Sequence, residues 1–278
     1  MYSHFSATRW VTPFGLMFIS AIFTAWYFAR RNARKAGIEP SHVDLIVPIT
    51  IIVGVTGGTA LAWFMPIDHR LAGEAMNHGL RLRLFGMLGT GAIGVFVYCR
   101  VAGLSFRGVL DVFALPTLAG IAVHRVGCHF AGCCWGDILR GGDAGALTTQ
   151  VHTTSLFDNL VRGIQYPPGS LPFEQHVALG LIEPGAIASL PVHPAQLYEV
   201  ALLLMLIILL FPVQRRRMPA GTLAVLAVVG YALGRFFIGY LRADGAIALG
   251  NLTVTQLQCL VLLPSILLLP RLRRSVVS

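Results

Sequence analysis

Residues 124–136 read HRVGCHFAGCCWG and hold three of the chain's five cysteines, two of its nine histidines and an arginine. Thiolates and imidazoles bind soft cations, and thiolates attack carbon or cross-link. A guanidinium presents a planar fork of donors that meets phosphate or carboxylate oxygens in pairs and stays charged. Two other stretches carry chemistry of the same kind. HPAQLYE, residues 193–199, places His193, Gln196, Tyr198 and Glu199 at the start of an apolar run. YALGRFFIGYLRADG, residues 231–245, places Tyr231 and Arg235 inside another run and Arg242 and Asp244 just beyond it. Tyr231 and Arg235 are four residues apart and share one helix face; Arg242 follows on the same side. On spacing alone Arg235 pairs with Glu199, snorkels to the interface, or holds an anionic headgroup with Arg125. Gln196 and Glu199 share a face, which suits a hydrogen-bonded helix start as well as a binding site.

The elements that position these residues follow from composition. The chain has 278 residues, of which 55% are hydrophobic and 12% charged, with mean hydropathy +0.72. Soluble domains are about one-quarter charged, so this is a polytopic membrane protein. The net charge of +9 rests on arginine clusters between apolar runs. That pattern signals topology and lipid-headgroup contact and excludes nucleic acid as the partner.

Seven runs approach the roughly 20 apolar residues that cross a bilayer as helix: 11–29, 43–65, 84–104, 108–124, 195–212, 220–241 and 251–270. The first is followed, not preceded, by its basic cluster, the reverse of a signal peptide, and reads as an uncleaved span with its N-terminus outside. The inside loops and tail then hold Arg30, Arg31, Arg34 and Lys35; Arg100 and Arg107; Arg215, Arg216 and Arg217; and Arg271, Arg273 and Arg274. The expected fold is an all-α membrane protein with about seven transmembrane helices, N-out and C-in. Residues 1–124 carry spans one to four. Residues 125–194, rich in proline and glycine, form a small extracytoplasmic head with short strands and turns. Residues 195–278 carry spans five to seven and a basic cytoplasmic tail. All three chemical stretches fall at the outer ends of helices.

Taken together, these stretches resemble the prolipoprotein diacylglyceryl transferase family of bacterial inner-membrane enzymes. FGLMFISAIFTAWYFARRNARKAG, residues 14–37, is similar to the family's first span and basic loop. HRVGCHFAGCCWG occupies the place of its G-R-x-G-N-F-x-N-x-E-x-x-G signature, HPAQLYE is similar to H-P-[ST]-Q-L-Y-E, and YALGRFFIGYLRADG is similar to its sixth-span motif. The resemblance implies transfer of the diacylglyceryl group of phosphatidylglycerol, or a similar anionic phospholipid, to the cysteine thiol of a preprolipoprotein, with glycerol phosphate leaving. It implies a multi-pass protein of the inner membrane with its site facing outward, and neither cofactor nor metal. Carried over position by position, Arg125 and Arg235 hold the phosphate, Tyr231 assists, and His193 joins them as a catalytic residue. Arg242, Gln196, Tyr198, Glu199, Cys128 and Cys133 are expected to bind substrate. The alternatives are transfer of a lipid-derived group to a different acceptor, or a phospholipid-binding membrane protein without the chemistry.

The chain departs from the family pattern at Cys128, where the family has Asn, at Cys133, where it has an acidic residue, at Gly239 for Glu, and at Phe85 for His. Four readings of Cys128, Cys133 and Cys134 stand open in the sequence: zinc ligands, a disulfide, a reactive thiol acidified by Arg125, or small side chains filling a packed turn.

Overall fold

A computed structural model describes residues 13–64, 87, 89–139, 163–216, 218–243, 247–249 and 252–268. Phe85, Arg217, Asp244, the middle of the expected head and the basic tail lie outside the described residues. The helices are α1 (Pro13–Lys35), α2 (Pro40–Phe64), α3 (Gly89–Val101), α4 (Phe106–Ala131), α5 (Leu171–Ala178), α6 (Ala195–Gln214), α7 (Thr222–Ile238) and α8 (Val254–Leu262). A two-stranded antiparallel ribbon, β1 (Ile247–Leu249) and β2 (Leu252–Thr253), precedes α8. By length and composition, four helices among the described residues can cross a membrane: Pro40–Ala60, Phe106–Ala131, Ala195–Gln214 and Thr222–Leu241. Gly89–Val101 and Thr255–Leu267 are shorter apolar helices. The protein is therefore a mostly helical membrane protein.

The distribution of side chains suits lipid surroundings. Ile208 is 71% exposed and Phe237 65%, whereas Gln196 and Glu199 are fully buried. Polar groups inside and apolar groups outside is the arrangement a bilayer demands.

Helix α4 is the hub and packs against α1, α6 and α7. Its contact with α1 is close because glycine lines it. A Cβ on Gly120 would lie 2.9 Å from the Ala21 carbonyl, and one on Gly127 would lie 2.6 Å from Met17 Cβ. Small residues of this kind let membrane helices approach where no hydrophobic force drives them together. The other face of α4 supplies Ala114, Leu115, Leu118 and Ala122 to a core shared with Leu203, Leu206 and Leu210 of α6 and Leu223 and Ala227 of α7. Sequence predicted a run ending at residue 124; the helix continues to Ala131 and stops at Gly132, which takes the left-handed conformation (φ 66°) and caps it. Arg125 and Cys128 are thus helical, and only Cys133 and Cys134 follow the helix.

The bundle has two chemically different ends. At one end lie the close of α1 with Arg34 and Lys35 in its last turn, the start of α4, and the α6–α7 turn with Arg215 and Arg216. Asp111 of α4 locks this end by accepting the N–H groups of Gly221 at 2.6 Å and Ala224 at 2.8 Å, satisfying the first turn of α7. At the other end the three chemical stretches converge.

Part of the segment before α6 forms a small platform on that second end. Val192 forms antiparallel bridges with both Ile138 and Ile164, and Gly136 bridges Arg242. Trp135, Tyr166 and Val192 make its core. Helix α5 is held to it by His176, whose Nδ1 accepts the Leu190 N–H at 3.2 Å.

Candidate functional site at one end of the bundle

Glu199 sits one turn into α6, fully buried, and gathers three arginines from two other elements. Arg125 of α4 pairs through Nε with its Oε2. Arg235 of α7 places Nε 3.1 Å from Oε1, and Arg242, just past α7, places Nη1 3.1 Å from the same oxygen. Arg235 and Arg242 are almost as buried as the carboxylate. A buried carboxylate is tolerable only when paired, and here three guanidiniums compensate it. Three cations on one anion leave a formal excess of two positive charges. Arg235 Nη1 is buried without a hydrogen-bond partner. A buried donor in that state has no protein acceptor, and an incoming oxygen satisfies it. The sequence left Arg235 between pairing with Glu199 and holding a ligand; the structure shows the pairing and leaves one prong of the fork over.

Tyr231, one turn before Arg235 on α7, lies within hydrogen-bonding reach of Arg125. Gln196, one turn before Glu199 on α6, donates from Nε2 to the Cys133 carbonyl at 2.7 Å and to the Tyr166 hydroxyl at 3.3 Å. It thereby ties α6 to both the cysteine turn and the platform. His193 and Tyr198 pair with each other, Nδ1 to hydroxyl at 3.2 Å. The backbone of His193 belongs to the platform: its carbonyl accepts the Gly136 N–H and its N–H donates to the Asp137 carbonyl, both at 2.9 Å. Asp137 N–H in turn donates to the Leu241 carbonyl at 2.8 Å. This chain of backbone bonds fixes where Arg242 leaves α7. Gly136 is obligatory here, because a Cβ would fall 2.5 Å from both the Cβ and the carbonyl oxygen of His193.

The cysteines border the same group. Cys128 is buried and all three thiols are free. Their sulfurs lie within 4.8 Å of one another. Arg125 Nη1 reaches Cys134 Sγ at 3.6 Å, and His124 Nδ1 lies 3.9 Å from Cys128 Sγ. Hydrogen bonds from Cys128 and Cys133, with the charges of Arg242 and Arg125, hold the Cys134 thiol well below its ordinary range. The bond to Cys128 pushes Cys133 the other way.

The structure therefore brings together Arg125, Arg235, Arg242, Tyr231 and Glu199 directly. Gln196, Cys128 and Cys133 lie along their border, and His193 and Tyr198 join them through the platform. Sequence reasoning gave Glu199 a supporting part and missed that it is the centre. Its signal was available, since a carboxylate one turn into an apolar helix demands a partner. Gly136 and Tyr166 were missed because nothing in their neighbours marks them; their importance comes from chain segments distant in sequence.

The chain is 28% identical over 263 residues to a phosphatidylglycerol–prolipoprotein diacylglyceryl transferase of Methylococcus capsulatus, covering 89% of this chain and 85% of that one. It is 28% identical over 269 residues to one of Nitratidesulfovibrio vulgaris, covering 92% and 86%. With one of Clostridium tetani the identity is 23% over 233 residues, covering 83% and 80%. Residues 5–269 match the family described as prolipoprotein diacylglyceryl transferase, and the chain, with guanidiniums gathered at one end of its bundle, belongs to that family.

Proposed function

We propose that this protein moves the diacylglyceryl group of phosphatidylglycerol onto the cysteine thiol of a prolipoprotein. The observation that carries the reading is the convergence of Arg125, Arg235 and Arg242 on Glu199 with Arg235 Nη1 left unpartnered. A phosphodiester fits the surplus positive charge, and its oxygens complete the open fork. The reaction is displacement at the glyceryl carbon that bears the phosphate. As the thiolate's sulfur bonds to that carbon, the carbon–oxygen bond breaks and negative charge grows on the departing glycerol phosphate. Guanidiniums already fixed by Glu199 stabilise that charge without reorganising. Glu199 orients the arginines, Tyr231 positions Arg125, and Gln196, His193 and Tyr198 hold the outer end of α6 against the platform.

Seven spans, N-out and C-in, in the bacterial inner membrane complete the reading, with the segment after α4, residues 132–194, as an arm on the outer face. The basic residues around the α1 terminus and the α6–α7 turn lie at the end opposite the site, which supports a cytoplasmic basic end and an outward-facing site. Helix α4 at 1.5 Å per residue exceeds the roughly 30 Å hydrocarbon core, and Arg125 lies about 9 Å of rise below its end. That depth matches a phospholipid headgroup.

The test is transfer of label from phosphatidylglycerol carrying a labelled acyl chain to a peptide with a lipobox cysteine. Wild-type protein labels the peptide through a thioether; Arg235→Ala is expressed and inserted but transfers nothing. Full transfer by that variant would overturn the reading.

A further inference from the structure

Cys128 lies in the last turn of α4, and Cys133 and Cys134 lie in the turn after Gly132. Backbone holds that turn firmly. Cys133 N–H donates to the Cys128 carbonyl at 3.1 Å, the Cys133 carbonyl accepts Gln196 Nε2 at 2.7 Å, and Cys134 takes a left-handed conformation with φ 61°. The result is three soft ligand atoms within 4.8 Å of one another. A tetrahedral zinc ion with Zn–S bonds near 2.3 Å sets its sulfurs about 3.8 Å apart, so a sulfur movement of about 1 Å closes the cluster on the ion.

The donor set is three, not four. His124 Nδ1 is 3.9 Å from Cys128 Sγ but outside the group that all three sulfurs share. Its ring is set edge-on against Phe14 and Phe18 of α1 at centroid distances of 5.5 and 5.9 Å. Three protein ligands with a fourth position open is the pattern of a catalytic site; structural zinc sites are closed by four. The fourth position has a neighbour of defined chemistry, because Arg125 joins Cys134 Sγ to the Glu199 group. Three thiolates and a divalent cation sum to one negative charge, and a fourth thiolate makes it two, which the guanidiniums' formal excess of two positive charges offsets.

We propose that Cys128, Cys133 and Cys134 bind one thiophilic divalent cation of the zinc class, whose fourth position takes the acceptor's cysteine as thiolate. This rests on the transferase reading above and names how the thiol is activated. On coordination the acceptor thiol loses its proton to water, because a metal-bound thiol is deprotonated outright. The bound thiolate attacks the glyceryl carbon; the carbon–sulfur bond forms and the carbon–oxygen bond breaks. The electron pair leaves on the phosphate oxygen, which the arginines hold. The cation keeps its oxidation state, and the neutral thioether, a weaker ligand, departs.

The full chain, purified in detergent under reducing conditions, is titrated with cobalt(II). One equivalent per chain binds with a sulfur-to-cobalt charge-transfer band. Cys133→Ser and Cys134→Ser each weaken binding at least tenfold, while Cys99→Ala keeps it. A lipobox peptide shifts the band, and the same peptide with serine for cysteine does not. Absence of stoichiometric binding overturns the site, and a band that ignores the thiol peptide overturns the acceptor role. A second arm uses wild-type protein only: chelation abolishes labelling of the peptide and zinc restores it. Full labelling by metal-free protein overturns the metal site and leaves the transferase reading standing. A cobalt band that answers the thiol peptide, with no lipid transfer under any metal load, supports the site and counts against the transferase reading.

Discussion

Arg235 and Arg242 meet on one oxygen of Glu199, each at 3.1 Å. One guanidinium comes from within α7 and the other from just beyond it, so the carboxylate fixes the end of that helix as well as its charge. Arg125 occupies the other oxygen from α4. Replacing Glu199 with glutamine keeps the shape and removes the anion. Breaking a buried ion pair from one side costs about 3–5 kcal/mol, because the partners stay buried and uncompensated. Glu199→Gln is therefore expected to lower the unfolding midpoint in detergent sharply and to abolish transfer. Combining it with Arg242→Gln costs less than the sum of the two single changes, since the second removes a charge the first had stranded. Additive losses would show that the two residues act independently.

Charge alone does not satisfy this site. Arg235→Lys keeps the cation but loses the planar fork that spans Glu199 and the unpartnered Nη1. Transfer is expected to fall on the order of 10²–10³-fold, the usual cost of removing one donor to developing charge. The loss falls on kcat more than on KM. Steady-state kinetics with varied phosphatidylglycerol checks this, and a pure KM effect would assign Arg235 to ground-state binding.

Gly136→Ala places a Cβ against His193 and the Leu241 carbonyl at 2.5–2.7 Å. The obstacle is mainly backbone, so the strand carrying Gly136 must shift and Arg242 with it. Overpacking of this kind costs about 1–3 kcal/mol. The expected outcome is reduced stability and reduced transfer together, although the substitution changes none of the three guanidiniums, because Gly136 is bridged to Arg242 through the backbone. Wild-type transfer by this variant would show that Arg242 is positioned without the platform.

His176 predicts a pH response outside the bundle. Burial lowers its pKa, with Asp137 opposing, and its Nδ1 accepts a backbone N–H. Protonation removes that acceptor. A group with a depressed folded-state pKa binds more protons when released, so its contribution is complete above about pH 6.5 and falls away as pH drops toward the folded value. Amide protection factors over residues 171–190, taken relative to the intrinsic exchange rate at each pH, should fall as pH drops from about 7.5 to about 5, and His176→Gln should flatten the change. Protection factors independent of pH in the wild type would count against the imidazole as the clamp.

Much of this was legible before any coordinates. Arg235 announced itself because a guanidinium inside an apolar run needs a partner, and helical spacing put Tyr231 and Arg242 on its side. The helices formed where the apolar runs fell, since the bilayer forces backbone polar groups to pair within each span. The end of α4 was not legible. HRVGCHFA is too polar to count as membrane span, yet it is helical as far as Ala131, and its Arg125 is neutralised by a carboxylate far along the chain. The role of Gly136 was hidden for a related reason: it is set by backbone from His193 and Leu241, and no local pattern encodes that meeting. Residues whose solvent is another part of the protein can be recognised only once the fold supplies that part.

The hub at Glu199 also bears on how the protein is made. Arg125 is synthesised well before the carboxylate that neutralises it, and Arg235 and Arg242 come after. Helix α4 must enter the bilayer with a lone cation near its C-terminal end, tolerable there because the side chain reaches the interface. When α6 arrives, its acid is drawn to a cation already in place. Helix α7 then docks its arginines on a pair that is nearly neutral. The order of residues along the chain therefore doubles as an assembly sequence in which each arriving helix is received by the charge of the one before.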